Sequence, residues 1–481
     1  MTISHIFRIF VCLAGLLLSF LVAAAAEPVT PLQVDFSSGL GAVRALHGIN
    51  KGPLVAGGLI DLTAPLRALG VPQIRLHDCH WPNPDVVDIH AVFPDFRANP
   101  QLAFNYDFAA TDEYLAATRQ TGAQIIYRLG ESIEHTSRKR FVHPPADPEK
   151  WAAICLGIIR HCNEGWADGT RLGIRHWEIW NEPENRPAMW SGTDDDYFRL
   201  YRTAATRIRA SYPDLKVGGP AVGASGQFVN GEFRPTAFVT NFLALCRRES
   251  LPLDFFSWHC YTADPSELVR RARAIRQLLD AYGFSKTESH LNEWNYLPGN
   301  SWKGLGQNSP PANRQTAYET MAGSAGAAFI VTALLELQDA PVDVCNLFHG
   351  EAGGFGLFNE HGVPQKNYYG LLAFHGLLDT PRRVAAHGAV AGQLGLVAGL
   401  NTAGSEASIL ISSLDRSSSD FEVVPTHLAW SGPTCVETWL VDASHDFSLV
   451  NTTTNAVSDT PLRLGLKSPA VALLRLRQLK P

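Results

Sequence analysis

Eight short β-rich apolar runs recur between residues 43 and 349, and no other feature of the chain restricts its fold as strongly. They are VRALHGIN (43–50), QIRLHDC (73–79), AQIIYRLG (123–130), IRHWEIWNE (174–182), LKVGGPAV (215–222), DFFSWHCY (254–261), ESHLNEWN (288–295) and VDVCNLFH (342–349). Amphipathic stretches such as DDDYFRLYRTAATRIRASY and PSELVRRARAIRQLLDAYGF lie between them, with apolar residues at helical spacing and Pro or Gly ending the run. Eight βα units over about 300 residues are what a closed (β/α)8 TIM barrel requires. An open doubly wound sheet would use fewer strands and an early Gly-rich phosphate turn, and no GxGxxG follows the first run.

Beyond about residue 380 the helical period stops. LGLVAGL, ASILISSL, FEVVPTHLAW, TCVETWLVD and AVALLRLRQ follow one another, separated by Gly, Ser, Asn and Pro clusters. The reading is therefore an α/β chain: a (β/α)8 barrel over residues 40–380 and a small C-terminal β-sandwich domain over 381–481. LQVDFSS (32–38), within residues 30–39, would otherwise expose its apolar face, so it is expected to add a strand to the sandwich.

Forty basic against 46 acidic residues, with no basic run, leave little to attract a phosphate backbone, which argues against a nucleic-acid partner. One arginine in MTISHIFR precedes the apolar run IFVCLAGLLLSFLVAAAA, and this order predicts a secretory signal over residues 1–26, cut near Ala26. An uncleaved N-terminal anchor is the alternative, since the run could span a bilayer. Either way the body of the protein is expected to be secreted or periplasmic, and cleavage leaves no membrane span in the mature form. Setting Cys12 aside leaves seven scattered cysteines, an odd number. Cys155 and Cys162 stand seven apart on a helical pattern, roughly 10 Å, too far for a disulfide. No CxxC or HxxxH pair suggests zinc, so neither a metal nor a cofactor is predicted.

In a (β/α)8 barrel the chemistry gathers at the C-terminal ends of the strands. Glu182 closes the fourth run in WEIWNEPE and Glu293 closes the seventh in HLNEWN, three positions apart around an eight-strand ring. The pair thus faces across the mouth. Trp180, Asn181, Trp294 and Asn295 surround it with flat apolar faces and amides, a mixture suited to sugar rings. Glycoside hydrolysis needs one carboxyl to protonate the leaving oxygen and another to meet the oxocarbenium-like centre.

WEIWNEPE, LNEWN, SWHCY at the sixth run and RLHD at the second resemble the clan A retaining glycoside hydrolases, and most closely glycoside hydrolase family 39, which contains β-xylosidases and α-L-iduronidases. The resemblance implies Glu182 as general acid/base, Glu293 as nucleophile and Asn181 as the amide bonding the hydroxyl beside the anomeric carbon. It also implies Arg75 and Tyr261 as groups acting on the nucleophile, and His77 and His259 as pocket residues; Trp294, by its place beside Glu293, is expected to bind substrate. Arg75 and Glu178 could equally form a barrel ion pair. Where many xylosidases of the family carry a Trp platform after the eighth strand, this chain reads CNLFHGEAGGFGLF, with Phe348 and His349 there. Tyr261 replaces the Lys that iduronidases of the family use, which counts against a uronic acid. The expected activity is β-xylosidase-like cleavage of a carbohydrate by double displacement. An endo-acting hydrolase and a catalytically silent carbohydrate-binding barrel are the alternatives.

Overall fold

The computed structural model of the chain describes residues 30–79, 86–306, 308–415, 420–455 and 460–479. The expected signal over 1–26, Cys12 included, lies outside the described residues. All eight runs contribute to one closed parallel barrel: Gly48–Asn50, Gln73–Leu76, Gln124–Leu129, His176–Ile179, Lys216–Val222, Phe255–Thr262, Glu288–Tyr296 and Val344–Leu347. Consecutive strands are neighbours, and the eighth closes on the first through Asn346 opposite Gly48 and Leu347 opposite Ile49. The first strand is shorter than its apolar run because Val43 and Arg44 are engaged elsewhere: the Val43 amide donates to Pro381 and the Arg44 guanidinium to the carbonyl oxygens of Leu337 and Ala340.

The connecting helices start and stop where their sequences dictate. Asp194–Ser211 opens on a reciprocal cap, Thr193 accepting from the Asp196 amide while Asp196 accepts from the Thr193 amide. Pro148–Glu164 opens on Asp147 with proline in its first turn and closes on Gly165, whose φ of 81° only glycine adopts at no cost. Among the described residues no single helix is long and apolar enough to cross a membrane.

Strands four and seven are not neighbours in the barrel, so a contact between their side chains must cross its interior. Two such contacts stack along the axis. Near the base, the Nε2 atoms of His176 and His290 both meet Glu288 Oε2, at 3.3 and 3.0 Å, and Lys216 holds the other oxygen. One level higher, Asn292 donates to Glu178, which also receives Arg75. This polar column lifts the site to the barrel mouth.

Nine further strands form one sheet in the order Asp446–Asn455, Thr434–Val441, Ala470–Gln478, Glu406–Ser413, Leu394–Leu400, Arg382–His387, Thr30–Ala42, Asp420–Thr426, Leu462–Gly465, and two short hairpins, Leu54–Val55 with Ile60–Asp61 and Gly226–Val229 with Glu232–Pro235, stand apart. Thr30–Ala42, which contains LQVDFSS, runs antiparallel to Arg382–His387 and parallel to Asp420–Thr426. One face of the sheet closes on a core of its own, including Leu32, Ile409, Phe421 and Leu474. The other face, through Val397, Leu410, Val471 and Leu473, joins the barrel's core. The helices Ser324–Glu336 and Lys366–Leu377 lie at that junction. Every residue from Gly326 to Leu335 is buried, and Ser412 of the sheet donates to the Ala328 carbonyl at 2.8 Å. A helix covered on all sides has to be apolar around its whole circumference, as AGAAFIVTALL is.

Candidate active site

Arg75, at the end of strand two, organises the centre of the mouth. Fully buried, it donates through Nε to Glu178 at 2.6 Å, through Nη2 to Asn181 Oδ1 at 2.6 Å, and through Nη1 to Asn50 Oδ1 at 3.0 Å and Glu293 Oε2 at 3.3 Å. Arg75 thus makes the barrel ion pair with Glu178 and also donates to the strand-seven glutamate. With Oδ1 of Asn181 held by Arg75, its amide nitrogen is the end left to donate.

Glu293 accepts from the Tyr261 hydroxyl at 2.6 Å on its other oxygen. Glu182 accepts from His259 Nδ1 at 2.8 Å and from Asn185 at 2.8 Å. Its backbone sits at φ 43°, two residues after Trp180 at φ 70°, an irregular exit that ends strand four. Gly223 makes room for the carboxyl, since a Cβ there would lie 2.4 Å from Glu182 Oε1. His259 stands between the two acids, with Nε2 3.5 Å from Glu293 Oε2. Ligand atoms of Glu182, His259 and Glu293 all lie within 4.8 Å of one another.

Burial raises both carboxyls. For Glu182 the bond to His259 and the charge of that ring outweigh burial, and it falls below its ordinary value. For Glu293 burial, joined by the charge on Glu182, prevails over His259, Arg75 and Tyr261, and it lies above. Burial disfavours a charged His259, yet Glu293 and Glu182 overcome it and raise the ring. These directions run opposite to those that an acid at Glu182 and a nucleophile at Glu293 would need. Glu184, two residues on, is raised to about 7, first by burial and then by the charge of Glu182.

His77 is buried, with Nε2 3.3 Å from Asp78 and no hydrogen-bond partner on Nδ1. Burial first, then the charge of Arg75, keeps it well below the usual histidine range. Trp294 requires a correction. It is wholly buried and packs against Phe329 in the helix layer: strand seven carries an extra residue between Leu291 and Trp294 relative to its neighbours, so Asn292 and Glu293 both turn inward and Trp294 turns outward. Trp180 likewise faces out, onto Trp151 and Trp190. Asn295 is occupied with the carbonyl oxygens of Phe348 and Phe355.

The aromatic surface comes instead from loops. Trp302, half exposed, meets Tyr261 edge-on at 4.9 Å, and Phe348 and Phe355 pack within 6.4 Å of the same ring. Sequence reasoning also missed the buried pair of Lys51 and Glu351 at 2.7 Å, whose ammonium lies 5.3 Å from the centre of the Phe348 ring. A lysine closing an apolar strand run was the available hint.

Three sets of side chains among the described residues have metal-capable donors: Glu182, His259 and Glu293; His176, Glu288 and His290 at the barrel base; and Asp88, His90 and Glu131. Each already has a basic side chain on one of its carboxylates, Arg75, Lys216 and Arg128 respectively. The seven cysteines among the described residues are free, six of them buried.

Residues 59–453 match the family model described as glycosyl hydrolases family 39. A β-xylosidase of Caldicellulosiruptor saccharolyticus is 27% identical over 330 residues, 62% of this chain and 61% of that protein. A β-xylosidase of Geobacillus stearothermophilus is 28% identical over 324 residues, 59% of this chain and 58% of that protein. The alignments thus span about three-fifths of the length of these curated relatives. Among solved structures, a glucosidase of Croceicoccus marinus superposes with a TM-score of 0.78 at 24% identity, covering 94% of this chain and all of that one, a likeness of fold.

Proposed function

The chain belongs to glycosyl hydrolase family 39, and on that premise we propose that it is a retaining glycosidase of β-xylosidase type, with Glu293 as nucleophile and Glu182 as acid and then base. The observation that carries this reading is the closeness of the two carboxyl groups, with oxygens within 4.8 Å across one histidine. Retention uses carboxyl groups about 5–5.5 Å apart, whereas inversion needs room for a water between them, above roughly 6.5 Å. The names of the two curated relatives support the sugar class.

In the first step a carboxylate oxygen of Glu293 bonds to the anomeric carbon as the bond to the leaving oxygen breaks, and Glu182 gives that oxygen a proton. With His259 protonated on Nδ1, 2.8 Å from Glu182, one transfer along that hydrogen bond makes the acid. Positive charge growing on the sugar favours ionised Glu293, whose oxygens keep the Tyr261 and Arg75 donors. In the second step Glu182 takes a proton from water, the oxygen of which displaces the ester and restores the Glu293 carboxylate. Asn181 and His77 are assigned to sugar hydroxyls, the first because its amide nitrogen is free to donate, the second because Nδ1 is buried without a partner. The apolar run before Ala26 supports export of the mature enzyme from the cytoplasm.

Turnover of aryl glycosides tests the assignment. Glu293→Ala is expected to lose essentially all activity and to recover part of it with azide, giving a glycosyl azide of inverted configuration. Glu182→Ala is expected to lose about 10²–10⁴-fold on substrates with poor leaving groups and far less on activated ones. Normal rates in Glu293→Ala would overturn the nucleophile.

A further inference from the structure

Three metal-capable donors meet at the base of the barrel, below the polar column that lifts Glu182 and Glu293 to the mouth. Glu288 and His290 stand two apart on strand seven and so share one of its faces, while His176, 112 positions before Glu288, reaches them across the axis from strand four. We propose that His176, Glu288 and His290 form a binding site for one zinc ion, which ties strands four and seven together at the end of the barrel opposite the two mouth glutamates. The inference does not depend on the glycosidase reading.

Both imidazoles aim at one atom. Nε2 of His290 lies 3.0 Å and Nε2 of His176 3.3 Å from Glu288 Oε2, and the three ligand atoms all lie within 4.8 Å of one another. Ligands of a tetrahedral zinc, with bonds of about 2.0–2.1 Å, stand about 3.3 Å apart, so the two contacts already have the length of that tetrahedron's edges. Two imidazoles and one carboxylate are a zinc donor set with a fourth position left for solvent. Lys216 bonds only Oε1, which orients the carboxylate and leaves Oε2 to the ion. Phe255 holds both rings, stacked on His290 with centroids 4.4 Å apart and edge-on to His176 at 5.7 Å. The other two donor sets fit less well. His90 Nδ1 and Glu131 Oε2 stand 2.5 Å apart, too close for two ligands of one ion, and at the mouth Arg75 occupies Oε2 of Glu293.

His176 also lines a recess of about 180 Å³ at the barrel base, a route from solvent to the ion. Arg119 and Arg175 in its wall favour an anion such as hydroxide in the fourth position. Binding moves the imidazole protons from Nε2 to Nδ1, which in His290 is buried without an acceptor, and the Lys216 ammonium opposes the cation. These two costs make the site weaker than a closed structural zinc centre. The chain separation of strands four and seven is why no spacing in the sequence announces it.

The test is calorimetric titration of the chain, free of any histidine tag, with Zn²⁺, and thermal unfolding with and without the ion. The wild type is expected to bind one ion per chain with a Kd of about 1–10 μM and to unfold at a higher temperature when saturated. His176→Ala, which removes a partly exposed ring, should weaken binding about hundredfold and cancel the thermal shift. Lys216→Met, which removes the opposing charge, should tighten binding about tenfold. No binding by the wild type, or undiminished binding by His176→Ala, would overturn the site. Should His176→Ala fail to fold, Lys216→Met decides alone, and unchanged or weaker binding there would overturn it as well.

Discussion

Tyr261 lowers Glu293 through its hydrogen bond, while Glu184 is itself raised by burial and by the charge of Glu182. The Tyr261 hydroxyl bonds the charged form of Glu293, so its removal raises a carboxyl that burial already holds high. Tyr261→Phe is accordingly expected to shift the acid limb of the kcat/KM–pH profile upward by about one unit. An unmoved limb would show that the hydroxyl has no hold on the nucleophile. Glu184 is the reverse of the usual acid-labile carboxylate. Its folded value of about 7 exceeds the unfolded one near 4.5, so the folded state binds the extra proton. Stability from this group is present below pH 4.5 and is lost as pH rises towards 7. Glu184→Gln should abolish that decline and leave the variant about 3 kcal/mol more stable at pH 7.5, with little difference at pH 4.5, by urea denaturation. Equal stability of the two proteins at both pH values would refute this.

Strands four and seven carry the site because each presents polar side chains to the axis at several levels. Glu178 lies below Glu182 and binds Arg75, which binds Glu293, so one ion pair holds both halves in register. Replacing Glu178 with Gln leaves a buried guanidinium short of its partner, a loss of about 3–5 kcal/mol, with a fall in kcat as Arg75 loosens. Denaturation midpoint and kcat together check this, and a stable, fully active variant would mean that the pair is dispensable. The strands themselves were readable because the β-rich runs are short and alternate with stretches of helical period. Strict alternation from Glu288, His290 and Asn292 would have turned Glu293 outward and Trp294 inward; the extra residue that reverses them shows only in the register with the neighbouring strands. The sheet strands Asp446–Asn455 and Leu462–Gly465 were not, since DFSLVNTTTN and LRLG offer a polar and a very short pattern whose pairing partners are set by tertiary contacts. Nor could the sequence pair Lys51 with a glutamate 300 positions away, or bring Trp302 over Tyr261 from a loop.

At the scale of the molecule, barrel and sheet share a core through the helix Ser324–Glu336. A large apolar junction predicts one unfolding event instead of two. Calorimetry of the intact chain should give a single cooperative transition, and two resolved peaks would refute the shared core. A chain ended at residue 380 should be insoluble, because it bares the helix faces that Val397, Leu410 and Val471 cover. One buried helix therefore serves as party wall to both bodies. Exchange of the appended sheet between relatives would have to carry matching changes in that wall, so the two parts are expected to diversify in step, with novelty confined to the loops at the open end.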